Sequence, residues 1–376
     1  MLPFLSIPEG DQAVLPLYCQ PILPFPHLTL SVIVPVYNGG ERLRRCLLSL
    51  AHTDPSPDEI IVVSDGDTDG SWRVSEELGA RVLRMSKQEG PARARNEGAK
   101  AAQGEILLFL DADVTVPQDI VSRISETFQE NPDLTALIGS YDDTPEETNF
   151  LSQYKNLFHH YIHQTSREEA STFWGACGAI RTRVFMELGG FDEGYRQPSI
   201  EDIDLGYRLK GAGYRIRLHK GLQIKHLKRW EPFSLLKSDF FHRALPWTEL
   251  ILRNHCFIND LNFRGSSRLS VMMVWGLLAT LAGTGWRPES LAITGALTLS
   301  LLILNLSVYR FFFRKRGFGF TLKVIPWHWL YYLYSGLAFA LGSIQYLLSG
   351  ERFRRPHLFR VRKEFPGAVK SPEQAS

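Results

Sequence analysis

The sequence predicts an α/β domain built on a mostly parallel sheet, followed by a strongly apolar C-terminal third. Short β-branched runs at 29–36 (TLSVIVPV), 59–64 (EIIVVS), 81–85 (RVLRM) and 105–110 (EILLFL) alternate with amphipathic segments at 40–51, 71–79 and 91–102. The runs are apolar at nearly every residue rather than at every second one, the pattern of strands buried on both faces and joined by crossover helices. Further on, the apolar runs 271–286, 290–309 and 324–349 approach or exceed the roughly 18–20 residues that span a bilayer.

In chain order, residues 1–28 form a lead interrupted by prolines at 3, 8, 16, 21, 24 and 26. It lacks the basic segment and continuous apolar stretch of a secretion signal, so the domain at 29–231 is expected in the cytoplasm. Its second block, 134–226, mixes strands with aromatic-rich helices such as 146–164. In 232–266, Leu236, Phe240 and Ala244 recur at spacing four, Pro246 breaks the pattern, and Trp247 and Ile251 resume it. With Lys237, Arg243 and Arg253 interspersed, this fits two short amphipathic helices in a membrane interface, and it also suits core helices. Residues 267–349 are the expected membrane segments. Arg310, Arg314, Lys315, Arg316 and Lys323 make the loop after the second run basic, which places it beside the cytoplasmic domain of a multi-pass membrane protein. A third full span would put the basic tail, 350–376, on the far side, so that run is either re-entrant or followed by an exception to the rule.

Composition agrees with this division. A chain of 376 residues exceeds what one core usually holds, and its mean hydropathy of −0.12 averages two unlike parts. The net charge of +2 gives no global reason to expect nucleic acid. Seven Arg or Lys against three Glu after residue 350 suit anionic lipid headgroups or a solvated tail alike. Cys19, Cys46, Cys177 and Cys256 have no metal or redox spacing and read as reduced, structural thiols.

Ligands of such sheets bind beyond the C-terminal ends of the strands, where strand order switches. Tyr37 and Asn38, Asp65 to Asp69, and Asp111 to Asp113 follow the runs at those ends. In Asp111-Ala112-Asp113, residues two apart on an extended chain face the same way, so two carboxylates enter one crevice. Oxygen ligands of that kind favour Mg2+ or Mn2+ completed by substrate phosphates, although a capped turn also produces the pattern.

The order VIVPVYNGG (32–40), EIIVVSDGDTDGS (59–71), GPARARNEGAKAAQGEILLFLDADVTVP (90–117), GGFDE (189–193) and EDIDLGYRLKGAGYRI (201–216) closely resembles family 2 glycosyltransferases of the GT-A fold, over roughly 30–230. The resemblance implies an inverting transferase that uses a nucleoside-diphosphate sugar, usually a UDP-sugar; taken with the apolar C-terminal runs, the expected acceptor is a lipid or another group near the membrane. It assigns Pro35, Tyr37, Asn38, Asp65, Arg95, Asn96, Asp111 and Asp113 to the donor pocket, with Asp65 reading the base. The family usually has two consecutive Asp there, and this chain has Ser64 before Asp65. Asp113 would bind the metal directly, and Asp111 ribose or the metal through water. Asp202 would be the general base with Glu201 beside it. Ser199 is placed to cap the helix that follows, and Asp204 and Arg208 to form a structural i, i+4 pair.

In KHLKRW (225–230), His226 resembles the third metal ligand of many GT-A enzymes. The hexad also resembles the Q-x-x-R-W element of glycosyltransferases that act on lipids or extend polysaccharides, with Arg229 and Trp230 matching and His226 in place of Gln, a substitution that counts against a processive polymerase. Trp174, Gly175 and Gly178 lie where the family places acceptor and diphosphate contacts, and Trp174 is as plausible a core residue. Asp67 and Asp69 read as turn residues, Arg93 as solvent-facing, and His159, His160 and His163 show no ligand pattern. A nucleotidyltransferase could share the carboxylate pair, but VIVPVYN lacks that class's glycine-rich basic loop. A non-catalytic membrane scaffold would have no need of Asp65, Asp111, Asp113, Glu201 and Asp202 together.

Overall fold

The computed structural model describes residues 28–254 and 265–348. The lead before Leu28, Cys19, Cys256 and the basic tail lie outside the described residues. Strands β1 (Leu30–Val36), β2 (Glu59–Ser64), β3 (Arg81–Arg84) and β4 (Ile106–Leu110) alternate with helices α1 (Gly40–Ala51), α2 (Ser71–Glu77) and α3 (Pro91–Ala101), as the hydrophobic periods require. All three pairings among these strands are parallel. Leu30, Val32, Val34 and Val36 with Ile106, Leu108 and Leu110 fill the core on one face, while Ile33, Leu107 and Phe109 fill the other. Covering both faces is why these strands show no alternation. Phe109 is ringed by Phe173, Phe185 and Phe191 at 5.1 to 6.2 Å between centroids.

The chain continues through β5 (Val114–Thr115), α4 (Ile120–Glu130), β6 (Ala136–Tyr141), α5 (Phe150–Thr165), β7 (Glu169–Ala170), β8 (Cys177–Arg181), α6 (Thr182–Glu187), α7 (Glu201–Gly211) and β9 (Ile216–His226). The sheet order is β3-β2-β1-β4-β8-β6-β9-β5, with β7 on β9, and β8 runs antiparallel to both its neighbours. Strand order therefore reverses between β1 and β4, and a crevice opens beyond their C-terminal ends. The short β5 pairs Val114 with His226, which sets Asp113 beside the end of β9.

Three C-terminal expectations change. The segment after the catalytic block does not break at Pro246: α8 (Pro232–Lys237), a π-helical turn (Ser238–Ala244) and α9 (Leu245–Asn254) follow without interruption. Proline cannot donate to the carbonyl one turn back, and the wider π turn accommodates this. The carbonyl four residues before Pro246, that of His242, accepts the Ser199 hydroxyl at 2.8 Å. Ser199 is thereby diverted from the capping role, and Ile200 holds the N-cap position of α7. The basic stretch 310–323 is helical rather than a loop and rests on the catalytic domain, where Lys315 pairs with Asp143 and Arg316 donates to Gln153 at 2.7 Å.

The remaining helices are α10 (Gly265–Gly283), α11 (Ser290–Leu304) and α12 (Leu306–Leu348), the last interrupted at Gly317. Among the described residues α10 alone is by itself long and apolar enough to cross a bilayer, and α11 with α12 qualifies only as a pair bent by 61°. Val308, Tyr309, Phe312 and Val324 of α12 pack against Tyr154, Leu157, Phe158 and Ile162 of α5.

Candidate active site

The crevice beyond β1 and β4 is a cavity of about 340 Å3. Pro35, Tyr37, Asn38, Asp65, Arg95, Asp111, Asp113, Trp174, Glu201, Asp202, His226 and Trp230, twelve of the residues named from the sequence, line it. Its carboxylates are held in different ways, and the differences sort their chemistry.

Asp65 follows β2 directly and accepts backbone N–H groups from Glu89 at 2.7 Å and Gly90 at 2.9 Å. Burial raises its pKa, and those two donors pull the other way. Beside it, Asn38 occupies a left-handed conformation (φ 53), which asparagine tolerates, and its side-chain oxygen accepts the Thr68 N–H at 2.8 Å. Tyr37 is 46% exposed at the mouth, where a flat base can lie against it. Asp69 accepts from Ser71 and Gly40, and Asp67 from Trp72, so both serve the turn.

Arg95, on α3, braces the floor. Its Nη1 donates to Glu201 at 2.9 Å and its Nη2 to Asp111 at 2.7 Å. It reaches both because position 175 is glycine: a Cβ there would stand 3.1 Å from the guanidinium carbon. The Gly175 N–H donates to Asp202 at 3.0 Å. Gly178 is needed for packing, since a Cβ there would meet Phe173 and the Trp174 carbonyl at 2.5 Å.

Asp202 opens α7. Burial, then the neighbouring Glu201 carboxylate, push its pKa up to about 6 against the opposing pull of Gly175, Arg95 and Arg243. A carboxylate poised near neutrality suits proton abstraction. Asp113 lies 3.7 Å from His226 Nε2. Burial opposes its ionisation, but His226, Lys228 and Arg42 outweigh it and bring the pKa to about 2.

His226 Nδ1 stands 2.9 Å from the side-chain oxygen of Asn156, which can only accept. Nδ1 therefore carries a proton, and Nε2 is turned toward Asp113. A ring nitrogen oriented by an outer partner and set beside a carboxylate matches the donor set of a divalent cation. No group of three or more His, Cys, Asp or Glu that could hold a metal occurs among the described residues. The ion would thus rest on Asp113 and His226 and be completed by a ligand's oxygens, as is usual for Mg2+.

Other expected site residues fall elsewhere. Asn96 is buried and holds the 190s loop through Phe191 and Glu193. Arg229 is on the surface, 58% exposed and paired with Glu231 at 2.8 Å and Glu147 at 3.3 Å. Trp174 both lines the cavity and packs, stacking on His159 at 5.3 Å and meeting Tyr141 edge-on at 4.8 Å. His160 and His163 bond the carbonyls of Tyr141 and Gly139, and Arg93 pairs with Glu89 on the surface. Arg208 bonds Asp204 at 2.8 Å as the spacing requires. Burial pushes the Cys46 and Cys177 thiols up to about 12, so both are inert packing groups.

Sequence reasoning missed Arg42, Tyr141, Asn156, Lys228 and Arg243. Four of these line the cavity, and Tyr141 stacks on His226 at 4.5 Å. Only Lys228, inside the 225–230 hexad, lay next to a pattern that pointed to it.

Residues 31–189 match the family model for Glycosyl transferase family 2. The chain is similar to the uncharacterized glycosyltransferase YfnE of Bacillus subtilis, 26% identical over 254 residues that cover 52% of this chain and 64% of that one. It is also similar to the pre-mycofactocin glycosyltransferase of Mycobacterium tuberculosis, 28% identical over 231 residues, 59% of this chain and 45% of that one. It therefore spans between about half and just under two thirds of the length of these relatives. Among solved structures it aligns with the mannosyltransferase PcManGT of Pyrobaculum calidifontis in complex with GDP-Man and Mn2+, at 16% identity and a TM-score of 0.46, over 86% of this chain and 88% of that one. The ordered motifs, the mixed sheet that carries them and the family match agree: residues 31–189 form a glycosyl transferase family 2 domain.

Proposed function

We propose that the chain transfers a glycosyl group, with inversion, from a nucleoside-diphosphate sugar, a UDP-sugar by preference, to a lipid or other acceptor presented at a membrane surface. The observation that carries this reading is the sorting of carboxylates in one cavity: Asp111 and Glu201 bonded to the single Arg95, Asp113 facing His226, and Asp202 left with a raised pKa.

Tyr37, Asn38 and Asp65 hold the nucleoside end beyond β1 and β2. Asp111 turns one oxygen to Arg95 and keeps the other for a ribose hydroxyl. Asp202 takes the proton of the acceptor hydroxyl as that oxygen attacks the sugar from the side opposite the departing diphosphate, and Glu201, fixed by Arg95 and the Ser199 N–H, keeps it protonatable near neutrality. Mg2+ or Mn2+ held by Asp113 and His226 supplies Lewis-acid neutralisation of the leaving group when bound. A polysaccharide-extending alternative would use Arg229, and that side chain faces away from the cavity.

The membrane part of the reading rests on uncovered apolar surface. Met272, Trp275, Leu278 and Leu281 of α10 and Leu291, Ile293, Leu299 and Ile303 of α11 are exposed, and bilayer hydrocarbon would cover them. The test is release of nucleoside diphosphate from UDP- and GDP-sugars by the purified protein with Mn2+ or Mg2+, alongside thermal shifts with the same donors. A donor at about 100 times its dissociation constant adds roughly 2.7 kcal/mol of stability. If no donor is turned over and none shifts the melt, the reading is wrong.

A further inference from the structure

Among the described residues, three cations that make no hydrogen bond line the cavity: Arg42, Lys228 and Arg243. Arg243 is the unexpected one, because its segment has the composition of a membrane-facing helix. The π-helical turn 238–244 brings it inward, and the Ser199 hydroxyl, bonded to the His242 carbonyl at 2.8 Å, fastens that turn next to Glu201 and Asp202. Its nearest carboxylate, Asp239, is 3.9 Å away and is already satisfied by Lys155 at 2.7 and 2.8 Å and by the Tyr334 hydroxyl at 2.9 Å. Among the described residues the Arg243 guanidinium makes no hydrogen bond, and 45% of the side chain stays open to the cavity. Lys228 is carried over the Trp230 ring at 4.3 Å, so its ammonium is held at the wall without being neutralised.

Arg229, the arginine of the hexad and the natural candidate for an anionic ligand, is spent on Glu231 and Glu147 at the surface. We infer that Arg243, assisted by Lys228, takes that place and grips the diphosphate of the nucleotide, opposite Asp113 and His226. A guanidinium presents a planar fork that fits phosphate oxygens, whereas a lysine offers a point charge, so the pair gives one oriented and one diffuse contact. The positive charge would be largest in effect as the diphosphate departs and gains charge. This assignment rests on the nucleotide-sugar reading and names the residue that distinguishes a diphosphate from a monophosphate.

The experiment is calorimetric titration of the full chain in detergent with UDP, UMP, GDP and GMP, each with Mn2+ and with EDTA. The expected result is that Arg243→Gln loses roughly 10- to 100-fold in affinity for the diphosphate of the preferred base, in both conditions, with the monophosphate unchanged. Arg243→Lys recovers part of the loss, and Arg229→Gln changes neither. Since Asp239 keeps Lys155 and Tyr334 in both variants, an unaltered melting temperature in the ligand-free protein is expected and separates binding from folding. Unchanged diphosphate affinity in Arg243→Gln overturns the inference and leaves the donor reading standing, as does an equal loss for mono- and diphosphate. If the unsubstituted protein binds none of the four nucleotides, the donor reading fails first and the inference with it.

Discussion

The Asp202 carboxylate makes the most exposed claim, because its pKa ties a rate to a geometry. Its pKa is raised from 3.8 to about 6, by burial first and then by Glu201. That difference corresponds to roughly 3 kcal/mol in favour of the protonated form. A base must be deprotonated to act, so transfer is full above the pKa and is lost as pH falls through it: about half at pH 6 and about a tenth at pH 5. Asp202→Asn retains the shape and the Gly175 contact but accepts no proton, and turnover should fall by roughly 10² or more with donor affinity intact. Glu201→Gln removes the adjacent negative charge, so the acidic limb should move to lower pH while Asp202 remains the base. The assay is turnover against pH from 4.5 to about 8 for the three proteins with one donor and acceptor, with nucleotide affinity measured separately. An acidic limb that stays in place in Glu201→Gln, or normal turnover in Asp202→Asn, would refute the reasoning.

Other outcomes follow from the same cavity. Arg95→Met leaves Glu201 and Asp111 without their partner, and should lower stability by about 3–5 kcal/mol in a denaturant melt, beyond any loss of donor binding. Asn156→Leu removes the acceptor that fixes the His226 tautomer, and should weaken Mn2+ affinity by roughly 10- to 100-fold, read by calorimetry of the ligand-free protein, with nucleotide binding in EDTA unchanged. Phe109→Ala should cost about 3–5 kcal/mol in the same melt, since three phenylalanine rings close around it. Carbonate washing of membranes should leave the full chain in the pellet; extraction into the supernatant would remove the spanning role from α10.

The first half of the fold was legible because its information is local. Periods of apolar residues define β1 to β4 and their helices, and Asp65, Asp111 and Asp113 sit one to three residues past strand ends. What was not legible depends on partners distant in sequence. Strand β8 is five residues long, and only its fit between β4 and β6 makes it a strand. Ser199 had the right residue type for a cap, yet the carbonyl freed by Pro246 competes for its hydroxyl from 43 residues away. Arg229 and Arg243 carry the same charge, and no local pattern says which turns inward; a π-helical turn decides it. Asp202 and His226 lie beyond the 31–189 match, so their assignment rests on the resemblance and on geometry.

Helix α5 explains why the apolar C-terminal helices belong to the site rather than trailing from it. One side of α5 holds β6 through His160 and His163 and orients His226 through Asn156. Its other side is covered by Val308, Tyr309, Phe312 and Val324 of α12. Lys155, one residue before Asn156, reaches Asp239 in the π-helical turn, and Tyr334 of α12 reaches the same carboxylate. His226 and the inward Arg243 are therefore both positioned by residues whose packing depends on α12. Removing the helices would expose Tyr154, Leu157 and Phe158 to water and leave Asp239 with one fewer donor, so the cost would reach the cavity as well as the surface. A bilayer that holds α10 to α12 in place would thus also hold His226 and Arg243 in register with Asp113.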